Sequence, residues 1–140
     1  MTKNKLIGIS VVTLLIGLVI LFSYPRTAPK MPSSEIDFIN GEYFPDSHTT
    51  RMQVQFDAPN SIKFVELLRT GRSCSDQKEQ GLAYLKVHYK SGQIQEVELT
   101  PTGLFRVDNQ PFFIEDKAIW NQIVGLLDAA KPAPQKSASK

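Results

Sequence analysis

The sequence predicts an α+β domain: a small antiparallel β-meander sheet with a C-terminal helix packed on one face, preceded by a single N-terminal transmembrane helix. Three observations predict it. An uncharged apolar run, LIGISVVTLLIGLVILFSY, fills residues 6–24. Strictly alternating stretches such as RMQVQF and IQEVELT are separated by short turns rich in Gly, Pro, Asn and Asp. Near the end, Trp120, Ile123, Val124 and Leu127 recur at helical spacing.

Residues 1–5 form a short tail carrying Lys3 and Lys5. At a rise of about 1.5 Å per residue, the run 6–24 is long enough to cross the roughly 30 Å hydrocarbon core as a helix. Every backbone amide can then pair within the helix. Gly8 and Gly17 are too far apart to make a small-xxx-small dimer seam. A cleavable signal peptide has a shorter apolar core, about 7–15 residues, and ends in small residues. Here the run leaves through Ser23-Tyr24-Pro25-Arg26. A cut after Ala28 or after Ser23 would put Arg26 or Leu21 three residues from the end, which suits neither site. The retained anchor is therefore preferred to secretion. The short tail favours a cytoplasmic N-terminus, with the folded domain extracytoplasmic, periplasmic or at the cell surface.

Residues 25–35, PRTAPKMPSS and its flanks, read as a Pro-rich extended spacer, and 36–128 as the folded domain. The tail 129–140, AAKPAPQKSASK, lacks apolar periodicity and is expected to be disordered. The whole chain has net charge +2. Of its 16 Lys and Arg, seven lie outside 36–128 (Lys3, Lys5, Arg26, Lys30, Lys131, Lys136, Lys140), which leaves nine inside. Of 14 Asp and Glu only Glu35 lies outside, which leaves thirteen. A mildly acidic domain without a basic stripe argues against nucleic acid as a partner. With one cysteine, Cys74, the fold has no internal disulfide and must stand on apolar burial.

Within the domain, IDFINGEYF contains Asn40-Gly41, a strong hairpin signal that would pair Phe38 with Tyr43. RMQVQF places Met52, Val54 and Phe56 on one face. The segment SIKFVELLRTG reads as a helix capped by Ser61 and ended by Gly71, or as a strand; the helix is preferred because Lys63, Glu66 and Arg69 then share a side. In 82–89, Ala83, Leu85, Val87 and Tyr89 face inward. Pairing with 94–100 in the parity that keeps glutamates out of the core puts Val87 opposite Val97, Leu85 opposite Leu99, His88 opposite Glu96 and Lys86 opposite Glu98. TPTG and DNQP then turn the chain through LFRV and FFIE. Asp116 caps the last helix, in which Gly125 marks an expected close approach to the sheet.

Candidate chemistry is sparse. Cys74 in GRSCSDQ is the only thiol, with Arg72 near enough to favour its thiolate. A thiol enzyme needs an oriented histidine, and the candidates are His48 in a polar loop and His88 on the wet face. Asp46 and His48 fall short of the three or four ligands of a zinc site. Glu96, Glu98, Glu115 and Asp116 read as solvated carboxylates, and no phosphate loop or cofactor signature is present. Phe112 and Phe113 are adjacent, so one must face away from the core. If Phe113 meets the helix, Phe112 stands beside Tyr84 or Leu104 as a candidate protein contact.

The layout resembles that of many bacterial envelope proteins, and layout alone carries no activity. The expected function is a non-enzymatic, single-pass accessory or interaction module of the cell envelope, held in the bilayer by 6–24 and contacting another envelope protein, with no metal or cofactor. The alternatives are a thiol-dependent enzyme or redox protein using Cys74, and a secreted binding or inhibitor domain.

Overall fold

The computed structural model describes residues 26–46 and 49–132. The expected tail 1–5, the expected transmembrane helix 6–24 and residues 133–140 lie outside the described residues. In chain order the strands are β1 (Ile36–Tyr43), β2 (Met52–Phe56), β3 (Arg72–Ser73), β4 (Ala83–Tyr89), β5 (Ile94–Leu99), β6 (Leu104–Val107), β7 (Gln110–Phe113) and β8 (Lys131–Pro132). Helix α1 (Ala58–Leu68) follows β2, and α2 (Lys117–Ala129) precedes β8. The strands form one open sheet in the order β3-β7-β6-β5-β4-β1-β2-β8, every neighbouring pair antiparallel. This is the expected α+β class.

Parity along the strands divides the sheet into two faces. Ile39, Tyr43, Val54, Phe56, Ala83, Leu85, Val87, Tyr89, Val97, Leu99, Phe105, Val107 and Phe112 point to one side. There they meet Phe64, Val65 and Leu68 of α1 and Trp120, Ile123 and Leu127 of α2 in one core. Two helices laid on one face leave the other uncovered, as an antiparallel sheet permits.

Local chemistry explains most boundaries. Helix α1 starts four residues earlier than expected, because Asp57 is the cap. Its carboxylate accepts from Asn60 N at 3.0 Å, and Pro59 stands in the first turn. Ser61 is buried inside the helix, its hydroxyl donating to Phe56 O at 3.4 Å. Asp116 caps α2 as expected, accepting from Ala118 N at 2.8 Å. Gly125 is exposed, with nothing within 4 Å of where a Cβ would stand, so it marks no close approach. Asp108 and Asn109, at φ 49° and 67°, turn β6 into β7. Two consecutive positive φ values match the twist of a tight hairpin. Strand β7 therefore begins at Gln110, with Pro111 inside it, rather than after a DNQP turn.

Four further expectations are corrected. No hairpin forms at Asn40-Gly41, because β1 is one continuous strand flanked on both sides, Gly41 lying opposite Val54 of β2 and Leu85 of β4. A Cβ at 41 would meet Leu85 Cα at 2.8 Å and the Tyr84 carbonyl, so the glycine serves a close approach between strands. The β4–β5 register is slipped by two residues from the expected one: Leu85 faces Val97, Ala83 faces Leu99, Lys86 faces Glu96 and Tyr84 faces Glu98. Tyr89 N bonds Gln93 O and Gly92 N bonds Tyr89 O, both at 2.9 Å, which centres the hairpin on Ser91 with Gly92 at φ 87°. A slip of two keeps every side chain on its expected face.

The third correction concerns the expected spacer. From 26 onward these residues are docked on the domain. Thr27 O accepts from Ser73 N at 2.7 Å and Thr27 N donates to Ser73 Oγ at 3.0 Å. Lys30 O accepts from Gln95 Nε2 at 3.1 Å, Glu35 O accepts from Lys90 N at 2.8 Å, and Met31 is buried in the core. Prolines suit such a strap, which runs outside the ladder and needs few backbone donors. The fourth lies at the other end. Lys131 and Pro132, expected in the disordered tail, pair with Gln55 and Val54 as the outer strand β8.

Two tyrosines link distant parts of this fold. The Tyr43 hydroxyl donates to Asp128 at the end of α2, and that of Tyr89 donates to the inward-facing Gln95. Burial, reinforced by the hydrogen bond and charge of Asp128, pushes the Tyr43 phenol far above its ordinary range. Burial, then the charge of Asp108, pushes Tyr89 up to about 12. Both raised values favour the protonated folded form. Their contribution is complete below the ordinary value of 10.0 and is lost as pH rises through the folded values. Thermal melts of the intact chain in mild detergent should therefore show the melting temperature falling above about pH 10, less steeply in Tyr43→Phe and Tyr89→Phe. An unchanged slope in both variants would contradict this assignment.

Candidate functional site

The uncovered face presents one row after another across the strands. Phe38, His88 and Ile94 stand opposite one another on β1, β4 and β5. The next row is Asn40, Lys86 and Glu96; the one after is Glu42, Tyr84, Glu98 and Arg106. The His88 ring stacks on Phe38 with centroids 4.2 Å apart and planes 13° from parallel, and its Nε2 donates to Asn40 Oδ1 at 2.9 Å. The expected His88–Glu96 pair does not form, since the two-residue slip sets Ile94 opposite His88 and gives Glu96 to Lys86. Ile94 is 50 % exposed and Tyr84 43 %. Tyr84 meets Phe44 edge to face, with centroids 6.2 Å apart.

The β6–β7 half of the same face is roofed by the loop that follows Cys74. Arg106 holds that loop: its Nη2 lies 2.8 Å from Asp76 Oδ1 and 2.6 Å from Gln77 O, while Nη1 reaches Glu98 at 3.3 Å. The Asp76 hydrogen bond raises the Arg106 value further, with Glu98 adding to it. Thr102 donates to Glu79, and that bond lowers the Glu79 carboxyl.

This loop divides the patch expected from Phe112, Tyr84 and Leu104. Phe112 is 5 % exposed, inside the core and stacked on Phe105. Phe113 is the outward one of the pair, 37 % exposed, the reverse of the expected arrangement. The reason is strand parity: β7 begins at Gln110 directly after a two-residue turn, and Phe112 falls opposite the inward Phe105. Leu104 is buried opposite Phe113 on the outer face. The Glu98–Arg106 pair separates both from Tyr84. Ile94 and Phe38 were absent from the expected contact, although Ile94 was legible: once Val97 and Leu99 face inward, position 94 faces out.

Beside Phe113 and Leu104 opens a groove of about 840 Å³ whose lining includes Arg26, Arg72, Cys74 and Ile119. Burial raises the Cys74 thiol, Asp76 raises it further, and Arg26 and Arg106 offset this only in part. Arg72 does not activate it. Its Nη1 donates to the carbonyls of Arg69, Thr70 and Gly71 at 3.3, 3.2 and 2.8 Å, closing the end of α1. Among the described residues no histidine lines the groove. His48 lies outside them.

Four of the remaining carboxylate candidates have structural partners. Asp46 accepts from Thr50 N and Oγ1 at 2.8 and 2.7 Å, which lowers its carboxyl. Asp116 is a helix cap, Glu115 lies 3.7 Å from Arg26, and Glu98 is held by Arg106. Among the described residues no three His, Cys, Asp or Glu converge as a metal site. Comparison with known proteins finds no matching family model, no matching curated protein and no matching solved structure.

A thiol whose ionisation is suppressed reacts slowly. Iodoacetamide should modify Cys74 of the intact chain more slowly at pH 7.5 than it modifies a free thiol of ordinary value, about 8.5. The rate should keep climbing past pH 9; a plateau below pH 8 would mean an activated thiolate.

Proposed function

We propose that this chain is a single-pass, membrane-anchored, non-enzymatic interaction module of the cell envelope. Its N-terminus lies in the cytoplasm and its folded domain outside, where the domain holds another envelope protein. Among the described residues no helix is long and apolar enough to cross a membrane. The anchor is the apolar run 6–24 of the sequence.

One observation carries the choice of contact surface. On a sheet face that neither helix covers, Ile94 is exposed beside the stacked Phe38–His88 pair, and Tyr84 is exposed two rows further along β4. Apolar and aromatic side chains at the centre of a surface, ringed by polar ones, are the usual anchors of a protein interface. The polar neighbours here are the adjoining row Asn40, Lys86 and Glu96, which can supply hydrogen bonds and register beside the apolar row. Thiol chemistry at Cys74 is less well supported, because the groove suppresses the thiolate.

Photo-crosslinking from position 94 in native membranes tests this reading. A discrete heterologous adduct is expected. Ile94→Glu, on an exposed position that leaves the core untouched, should weaken capture about tenfold, the scale of losing one anchor residue. Recovery of the monomer alone, or capture indifferent to the substitution, would contradict the proposal.

A further inference from the structure

We infer that the β3 edge of the sheet, together with the groove beside it, rests on the phospholipid headgroups of the membrane that holds the chain. The inference rests on the anchor role of 6–24 and goes beyond it by assigning the domain an orientation. Thr27 is bonded to Ser73 through both its N–H and its carbonyl. Only Pro25 and Arg26 separate it from Tyr24, the last residue of the apolar run. Three Cα steps reach at most about 11 Å. The headgroup layer on each side of the hydrocarbon is itself roughly 5–8 Å thick. A domain bonded at Thr27 therefore has almost no slack, and Ser73 lies at headgroup level. Strand β2 stands six strand spacings away in the sheet order, roughly 29 Å at about 4.8 Å each.

The surface at the β3 edge has the chemistry for that position. Arg26, Arg69 and Arg72 are exposed, and Phe113, the cross-strand neighbour of Arg72, is partly so. Guanidinium groups beside an aromatic ring suit the boundary between lipid phosphates and hydrocarbon. Carboxylates face the same groove: Glu115 pairs with Arg26, Asp116 caps α2 and Glu79 is held by Thr102. A surface carrying both signs matches a headgroup that carries both phosphate and ammonium. The row Phe38–His88–Ile94 lies strands away from this edge and stays free for a protein partner.

The test uses the full chain in phosphatidylcholine vesicles that contain headgroup-spin-labelled lipid. A fluorophore is attached in one sample at Ser75→Cys and in another at Gln53→Cys, both in a Cys74→Ser background. Ser75 lines the groove and Gln53 is exposed on β2. Quenching at position 75 should exceed that at 53 by at least about threefold, given the difference in distance from the bilayer. Equal quenching, or stronger quenching at 53, overturns the orientation. Flotation after a carbonate wash is read on the same samples. Chains that float but quench equally contradict the orientation alone, whereas chains that fail to float contradict the anchor and the orientation with it.

Discussion

The fold depends on the docking of residues 26–35 against the core. Met31 enters the apolar cluster, Thr27 is tied to Ser73 on one flank, and Lys30 O receives the Gln95 amide on the other. Gln95 is an inward-facing polar residue whose burial is tolerable only if its amide is satisfied. Lys30 O, Asp108 and the Tyr89 hydroxyl satisfy it together. Remove the strap and the core loses an apolar side chain while a buried amide loses an acceptor. Such asymmetric losses usually exceed the net worth of a hydrogen bond.

Under the proposed anchoring, the same strap converts a tether into a mount. A flexible spacer would let the domain sample many distances from the bilayer, since its reach grows with its length. A docked strap leaves only Pro25 and Arg26 between the apolar run and Thr27, which is bonded to Ser73. The two halves of the outer sheet face then acquire different surroundings. In the orientation inferred above, the half near β3, roofed by the loop that Arg106 holds, is the one directed toward lipid. The uncovered half around Phe38, His88 and Ile94 is the one proposed to meet another protein.

Side-chain parity was legible in the alternating strands because it survives errors of two residues. The β4–β5 register was misplaced, yet Leu85, Val87, Val97 and Leu99 all face the core as expected. Register itself depends on where the hairpin closes, and the segment 90–93 permits more than one closure by composition. Asn40-Gly41 was misread because glycine answers two demands with one residue, a turn or a close approach between strands, and only the neighbouring β4 distinguishes them. The docked strap carried no periodic signal, since a single buried methionine among prolines looks the same as a linker. Phe112 and Phe113 were correctly seen to point opposite ways, but their assignment depended on the position of a two-residue turn.

The most direct test of the strap is the stability of Met31→Ala, measured by chemical denaturation of the intact chain in mild detergent. If Met31 is a core residue, truncating it should destabilise the domain by about 2–5 kcal/mol, the range for burial lost together with a cavity left behind. A change within about 0.5 kcal/mol, as expected of a residue in a solvated linker, would contradict the account.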